Sequence, residues 1–123
     1  NELVDTAYSL EDEVGVSLGP VVVNGLYPTL PGLDVAPLDA AHAAGAALRD
    51  GESATLAAAA RFRRHRQALQ AEQIARLAER LPLPQIHLPF LFSSDLGRDA
   101  VETLADAALA GIAELTAVPE DAP

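Results

Sequence analysis

The chain has 123 residues, half of them hydrophobic, a formal net charge of -10 and no Cys. The length suffices for one domain, and the charge excludes a protein that presents a broad cationic surface to nucleic acid. The lack of Cys excludes disulfides and thiolate zinc sites, and the sequence has neither a signal-peptide pattern nor an apolar run long enough to span a membrane. We therefore expect a cytoplasmic protein.

The first segment has the spacing of an amphipathic helix and predicts a helix over residues 3–14. Its apolar positions recur at intervals of three and four residues, at Leu3, Ala7, Leu10 and Val14. Gly15 marks the expected end of this helix.

A buried strand is predicted next, over residues 20–25. The run Val21-Val22-Val23 has no alternation, which is typical of a strand covered on both faces in a parallel sheet. Gly25 and Pro28 mark its end. Because ligands bind beyond the carboxyl ends of parallel strands, Asn24 lies where a ligand contact is expected. The alternative is that Asn24 caps a turn.

The middle of the chain is predicted to be a loop followed by two helices. Residues 27–37 are rich in Pro and predict a loop over the carboxyl end of the strand. An Ala-rich helix is expected over residues 39–49. A longer one is expected over residues 53–80, with Ser53 as its N-cap and Pro82 beyond its end.

Basic residues concentrate in that long helix, which carries six of the eight arginines in a chain without Lys. Four of them fall close together, at Arg61, Arg63, Arg64 and Arg66. They wrap around the helix, so we interpret them as a solvated surface paired with acids; the alternative is a contact with an anion or a partner. No metal site is expected, because the three His residues lie on different elements without ligand spacing.

A second strand is predicted over residues 85–88, whose alternation suggests a strand with one exposed face. A turn at residues 89–92 leads to a last helix, and residues 118–123 are expected to be a disordered tail. The order helix, strand, helix, helix, strand, helix predicts an α/β fold with parallel strands. Two parallel strands are not stable alone, so we expect either further strands from outside this chain or pairing with another copy.

Several stretches together resemble one family. These are the Val-Val-Val-Asn-Gly-Leu-Tyr-Pro run at residues 21–28, the long helix with Arg-Phe-Arg-Arg at 61–64 and Gln-Ile at 73–74, Ile-His-Leu-Pro-Phe at 86–90, and a final helix led by glycine. They resemble the C-terminal part of the arsenite-pump and anion-transporting ATPase family, whose relatives include the tail-anchored-protein targeting ATPase. Members are deviant-P-loop ATPases that work as dimers or pseudodimers.

The resemblance implies that residues 1–117 form the C-terminal α/β segment of a P-loop NTPase fold whose P-loop half is absent. It also implies an adenine pocket formed by Asn24, Pro89, Phe90 and Leu91. The amide of Asn24 has one donor and one acceptor, which match the N6 and N7 of adenine. ATP and Mg²⁺ are the implied cofactors, with the Mg²⁺ ligands upstream. The implied partners are that upstream portion, a second subunit, and a cargo or membrane protein, but no nucleic acid.

Two departures from the family pattern limit what this chain does alone. Without any Lys it has neither the P-loop lysine nor the family's second lysine, so we expect no ATP hydrolysis by these residues alone. Some relatives carry a zinc-binding Cys-x-x-Cys pair where this chain has four alanines at residues 57–60, which excludes zinc-bridged dimerisation. Two functions remain open: the adenine-binding part of an ATPase, or a non-catalytic α/β module that binds another protein.

Overall fold

The computed structural model describes residues 2–117, and over these residues the order of elements is the expected one. In the description below, α1 is Glu2–Ser9, continued by a π-helical turn at Leu10–Val14; β1 is Val21–Leu26, α2 is Pro37–Ala43, α3 is Glu52–Arg80, β2 is Gln85–Pro89 and α4 is Arg98–Ala117. The expectation of an α/β chain is confirmed. The expected tail at residues 118–123 lies outside the described residues.

The two strands form one parallel sheet, as the sequence predicts. Val21 pairs with Gln85, Val22 with Ile86 and Val23 with His87, and the ladder resumes between Leu26 and Pro89 after an irregularity. Parallel strands require a long crossover, which the loop, α2 and α3 provide. Because the strands are parallel, both carboxyl ends lie at the same edge of the sheet.

One face of β1 is open, so the expectation that Val21 to Val23 are covered on both faces is wrong for the described residues. Val22 is 56% exposed, whereas its pairing partner Ile86 is only 5% exposed. The cause is the position of α4, which packs on β2. A Cβ on Gly111 of α4 would lie 2.9 Å from Ile86 Cγ2, so the helix approaches β2 closely and leaves Val22 uncovered.

The helix α2 is shorter than the sequence predicts, because it ends at Ala43 and not near Arg49. Gly45 takes a left-handed conformation with φ of 65°, and the N–H of Ala46 donates to the carbonyl of Ala41 at 2.8 Å. This is the geometry of a helix terminated by glycine, which overrides the high helix propensity of the surrounding alanines.

The start of α3 also differs from the expectation, since Ser53 lies inside the helix and is not its N-cap. Gly51, with φ of 83°, precedes the first helical residue and has no side chain to cap it. Glu52 instead reaches back, and its Oε2 accepts from the N–H of Arg49 at 2.8 Å. A carboxylate at this end also suits the helix dipole.

The buried core is small for a chain of this size. Its centre is Val4, Ala7 and Leu81, against which four half-buried residues pack, Leu18, Val21, Leu77 and Leu83. The chain exposes 9259 Å². A compact monomer of its 12.8 kDa mass would expose about 6,300 Å². Several large apolar side chains are more than half exposed, among them Val22, Phe62 and Leu109, so apolar surface is left for contact with something else.

Candidate ligand site at the carboxyl ends of the strands

Three aromatic rings meet where the two strands end. The N–H of Phe90 donates to the carbonyl of Leu26 at 2.7 Å, which extends the pairing one residue past β2. The ring centroids of Tyr27, Phe90 and Phe92 then lie 4.7 to 5.2 Å apart in tilted and edge-on arrangements. Such geometry is favourable for aromatic pairs. We call Tyr27, Phe90 and Phe92 the aromatic cluster.

Arg63 of α3 lies against this cluster. Its Cζ is 4.5 Å from the ring centroid of Tyr27 and 4.4 Å from that of Phe92. Its Nη2 donates to the carbonyl of Pro28 at 2.8 Å. Arg66, one helical turn further on, places its Cζ 5.6 Å from the Tyr27 ring. Both contacts lie within the range of cation–π attraction.

The interpretation of the four arginines as a solvated surface paired with acids is therefore wrong for Arg63 and Arg66, which are half-buried. The ion pairs found between described side chains involve other arginines, Arg49, Arg76 and Arg98. The sequence does contain a signal for the true arrangement. Positions 63, 66, 67 and 70 share one helical face, and that face carries polar side chains toward the strand.

Two glutamines continue the contact between α3 and the exit of β1. Gln67 Nε2 donates to the carbonyl of Pro28 at 3.1 Å. Gln70 Nε2 donates to the carbonyl of Gly25 at 3.0 Å, and Gln70 Oε1 accepts from the N–H of Tyr27 at 2.9 Å. We call Arg63, Gln67 and Gln70 the α3 clamp. It fixes the backbone directly after Asn24, and no pattern in the sequence predicted it.

Asn24 lies within β1 and is exposed. It lines a cavity of about 300 Å³ between β1 and α3, together with Gln73, Ile74 and Leu77. Its side chain makes no hydrogen bond with the rest of residues 2–117. The position of Asn24 is thus that of a free amide near the end of a strand.

Pro89, Phe90 and Leu91 line a different cavity, of about 550 Å³, between the strand ends and the start of α4. Pro28 and Phe92 complete its wall on the sheet side. The structure therefore brings the two groups of expected site residues to the same edge of the sheet but does not place them in one cavity. A Cβ on Gly25 would be 3.9 Å from Phe90 Cδ2, so the two groups are nevertheless close neighbours.

Neither metal ligation nor membrane crossing is indicated by the part of the chain that the structure describes. No group of three or more His, Cys, Asp or Glu residues is placed there to hold a metal ion. Likewise, no helix within residues 2–117 has both the length and the apolar character required to span a bilayer.

Comparison with known proteins gives no match to a protein-family model, a curated protein or a solved structure. The resemblance to the anion-transporting ATPases therefore rests on the residues quoted in the sequence analysis alone.

Proposed function

We propose that this chain is the adenine-binding C-terminal portion of an ATPase similar to the anion-transporting and arsenite-pump enzymes. Such an ATPase couples ATP binding and hydrolysis to a cargo or a membrane partner. One observation carries the proposal: two parallel strands end side by side, with Asn24 in the last part of β1 and Pro89 to Leu91 at and just beyond the end of β2. Ligands of open parallel sheets bind at this edge.

The chemistry of both groups suits adenine. Asn24 offers a free amide near the strand end, and an amide can pair with both N6 and N7 of the base. Pro89, Phe90 and Leu91 offer apolar surface to the face of a ring. Since the two groups line separate cavities, the base would lie across the strand ends and not inside either cavity.

The upstream portion would bind the phosphates of ATP, and the terminal phosphate would be hydrolysed there. This chain has no Lys to contact the phosphates. Its own residues would bind and orient the base, and α3 would keep Asn24 in place through the hydrogen bonds of Gln70 to the following backbone. Phosphate release above a buffer blank, from these residues alone, would contradict this division of roles.

The open face of the sheet supports a larger sheet in the parent protein. Val22 is 56% exposed, and Leu109 and Ile112 of α4, the helix that packs on β2, are 63% and 47% exposed. Parallel sheets are normally covered on both faces. A further strand and helix from the upstream portion would cover these residues.

A second function is favoured by the same exposed apolar residues. A non-catalytic interaction module would use them to bind another protein, and it would have no need of a nucleotide. Nucleotide binding by the parent protein therefore separates the two functions.

The test uses the longer protein that contains these residues. Asn24→Ala should weaken ATP binding by about 1–3 kcal/mol, because the adenine edge loses its paired hydrogen bonds. Asn24→Asp should also weaken it, since a carboxylate cannot donate to N7 and repels the phosphates. Gln73→Ala is the matched control, because Gln73 lines the same cavity and is not proposed to touch the base.

The decisive measurement is the preference for ATP over GTP. Asn24→Ala should reduce this preference, whereas Gln73→Ala should leave it unchanged. An unaltered preference in Asn24→Ala would remove Asn24 from the adenine site. A wild-type protein that binds neither nucleotide would overturn the proposed function and favour the interaction module.

A further inference from the structure

A third cavity, of about 610 Å³, lies between the loop that follows β1, α2 and the first half of α3. Its walls are almost entirely aliphatic or aromatic, with Leu30, Leu33, Val35, Leu48, Leu56 and Phe62 as the larger residues. The volume falls in the range of small-molecule sites, and a wall of this composition favours an apolar ligand. The adenine proposal makes no use of this cavity.

One end of the cavity is charged. Tyr27, Arg63 and Phe92 line that end, and among the described residues of the lining Arg63 alone is charged. Leu56 lies two helical turns before Arg63, about 10 Å along the axis of α3. The cavity is therefore an elongated apolar site, and the guanidinium of Arg63 lies at one end of it.

No described carboxylate neutralises the charge of Arg63. No carboxylate forms an ion pair with Arg61, Arg63, Arg64 or Arg66 among the described residues. Arg63 Nη2 donates to Pro28, but its Nε is buried and has no acceptor within the described part of the chain. The guanidinium has further N–H donors besides the one used on Pro28, so an anion beside it would gain charge-assisted hydrogen bonds.

We propose that this cavity binds a free carboxylate with an apolar tail, of the medium-chain fatty acid class. The tail lies along Leu33, Leu48 and Leu56, and the carboxylate lies beside Arg63. Two features select this class. The aliphatic wall excludes a polar or highly charged ligand, since nothing along it would replace the lost hydration. The lone cation at one end favours a single negative charge over a neutral amphiphile.

Decanoate is the probe, titrated calorimetrically into the full 123-residue chain below the concentration at which it forms micelles. Decanol, which has the same tail without the charge, and acetate, which has the charge without the tail, are the ligand controls. Decanoate should bind saturably to one site, decanol at least about tenfold more weakly because it loses the charge-assisted bonds, and acetate undetectably.

Two pairs of variants locate the site. Ala59→Leu adds bulk to a residue that lines the cavity and should abolish binding, whereas Ala58→Leu adds the same bulk to the same helix outside the lining. Arg63→Gln should weaken decanoate by about tenfold and leave decanol unchanged. Arg64→Gln removes the same charge from an exposed neighbour and should have no effect. Thermal unfolding would verify that each variant is folded.

The comparison of Ala59→Leu with Ala58→Leu tests whether decanoate binds in this cavity even if Arg63→Gln loosens the α3 clamp, since neither alanine belongs to the clamp. Equal affinity for decanoate and decanol would overturn the proposal, as would equal losses in Ala58→Leu and Ala59→Leu. So would an absence of decanoate binding by a wild-type chain that thermal unfolding shows to be folded. Binding to anionic phospholipid vesicles without binding to decanoate would likewise overturn it.

Discussion

Gln70 holds the backbone of Tyr27, whose N–H donates to Gln70 Oε1 at 2.9 Å. The Nε2 of the same amide donates to the carbonyl of Gly25 at 3.0 Å. One side chain therefore uses both its acceptor and its donor on the backbone that directly follows Asn24. Since Gln70 lies more than 40 residues away in sequence, the position of the candidate site depends on the packing of α3 and not on β1 alone.

The first prediction is that Gln70→Ala lowers the free energy of unfolding by about 1–3 kcal/mol, because it leaves a half-buried donor and a half-buried acceptor without partners. Gln73→Ala, one turn further along α3 and exposed, should change it by less than about 0.5 kcal/mol. Denaturant unfolding of both variants measures the difference. Equal losses in the two variants would show that the hydrogen bonds of Gln70 to Gly25 and Tyr27 do not contribute to the free energy of unfolding.

A second prediction concerns the contact between α4 and β2. A Cβ at position 111 would lie 2.9 Å from Ile86 Cγ2, and Ile86 is buried. Alanine in place of a helical glycine normally adds up to about 1 kcal/mol of stability. Here the clash should outweigh that gain, so Gly111→Ala should destabilise the chain by about 1–3 kcal/mol.

The double-mutant cycle of Gly111→Ala with Ile86→Ala tests the cause. Removal of the Ile86 side chain frees the space that the new methyl group needs. Gly111→Ala should therefore be neutral or stabilising when Ile86 is already Ala. The same loss in both backgrounds would show that the clash with Ile86 is not its source.

The sequence predicted the elements far better than it predicted how they pack. Both strands, their parallel pairing and the long helix follow from local patterns that the structure preserves. The exposure of Val22 could not be predicted in this way. A run of valines indicates a strand that is buried on both faces, but it does not say which element packs on each face. The position of α4, which packs on β2, leaves this face of β1 open.

The α3 clamp escaped the sequence analysis for a similar reason. The spacing of positions 63, 66, 67 and 70 marks a polar face of α3, but nothing in the sequence says that Tyr27 and Phe92 will meet Arg63 there. A row of polar side chains on one face of a helix, considered alone, predicts a face exposed to solvent. Here these side chains instead donate to the carbonyls of Gly25 and Pro28, which the fold brings within hydrogen-bond distance.

A third prediction is that the isolated chain either self-associates or is only marginally stable. It has a sheet of two strands and exposes 9259 Å², which is far more than a compact monomer of its mass. Light scattering at increasing concentration and reversible thermal unfolding are the measurements. A monomer at high concentration with a sharp, fully reversible transition would contradict the prediction.

The last prediction uses Val22→Thr to ask whether the longer protein proposed above covers the open face of β1. Thr has nearly the shape and strand preference of Val, so the change should be almost neutral in the isolated chain, where Val22 is 56% exposed. If the upstream portion buries this face, the hydroxyl loses water there, and the longer protein should lose about 1–3 kcal/mol of unfolding free energy.

Val21→Thr is the control, because Val21 is already packed on Leu81 and its neighbours within this chain. Its cost should be similar in both proteins. Denaturant unfolding of the two variants in both lengths gives the comparison, and a Val22→Thr effect that stays near zero in the longer protein would mean that the upstream portion leaves this face of the sheet open.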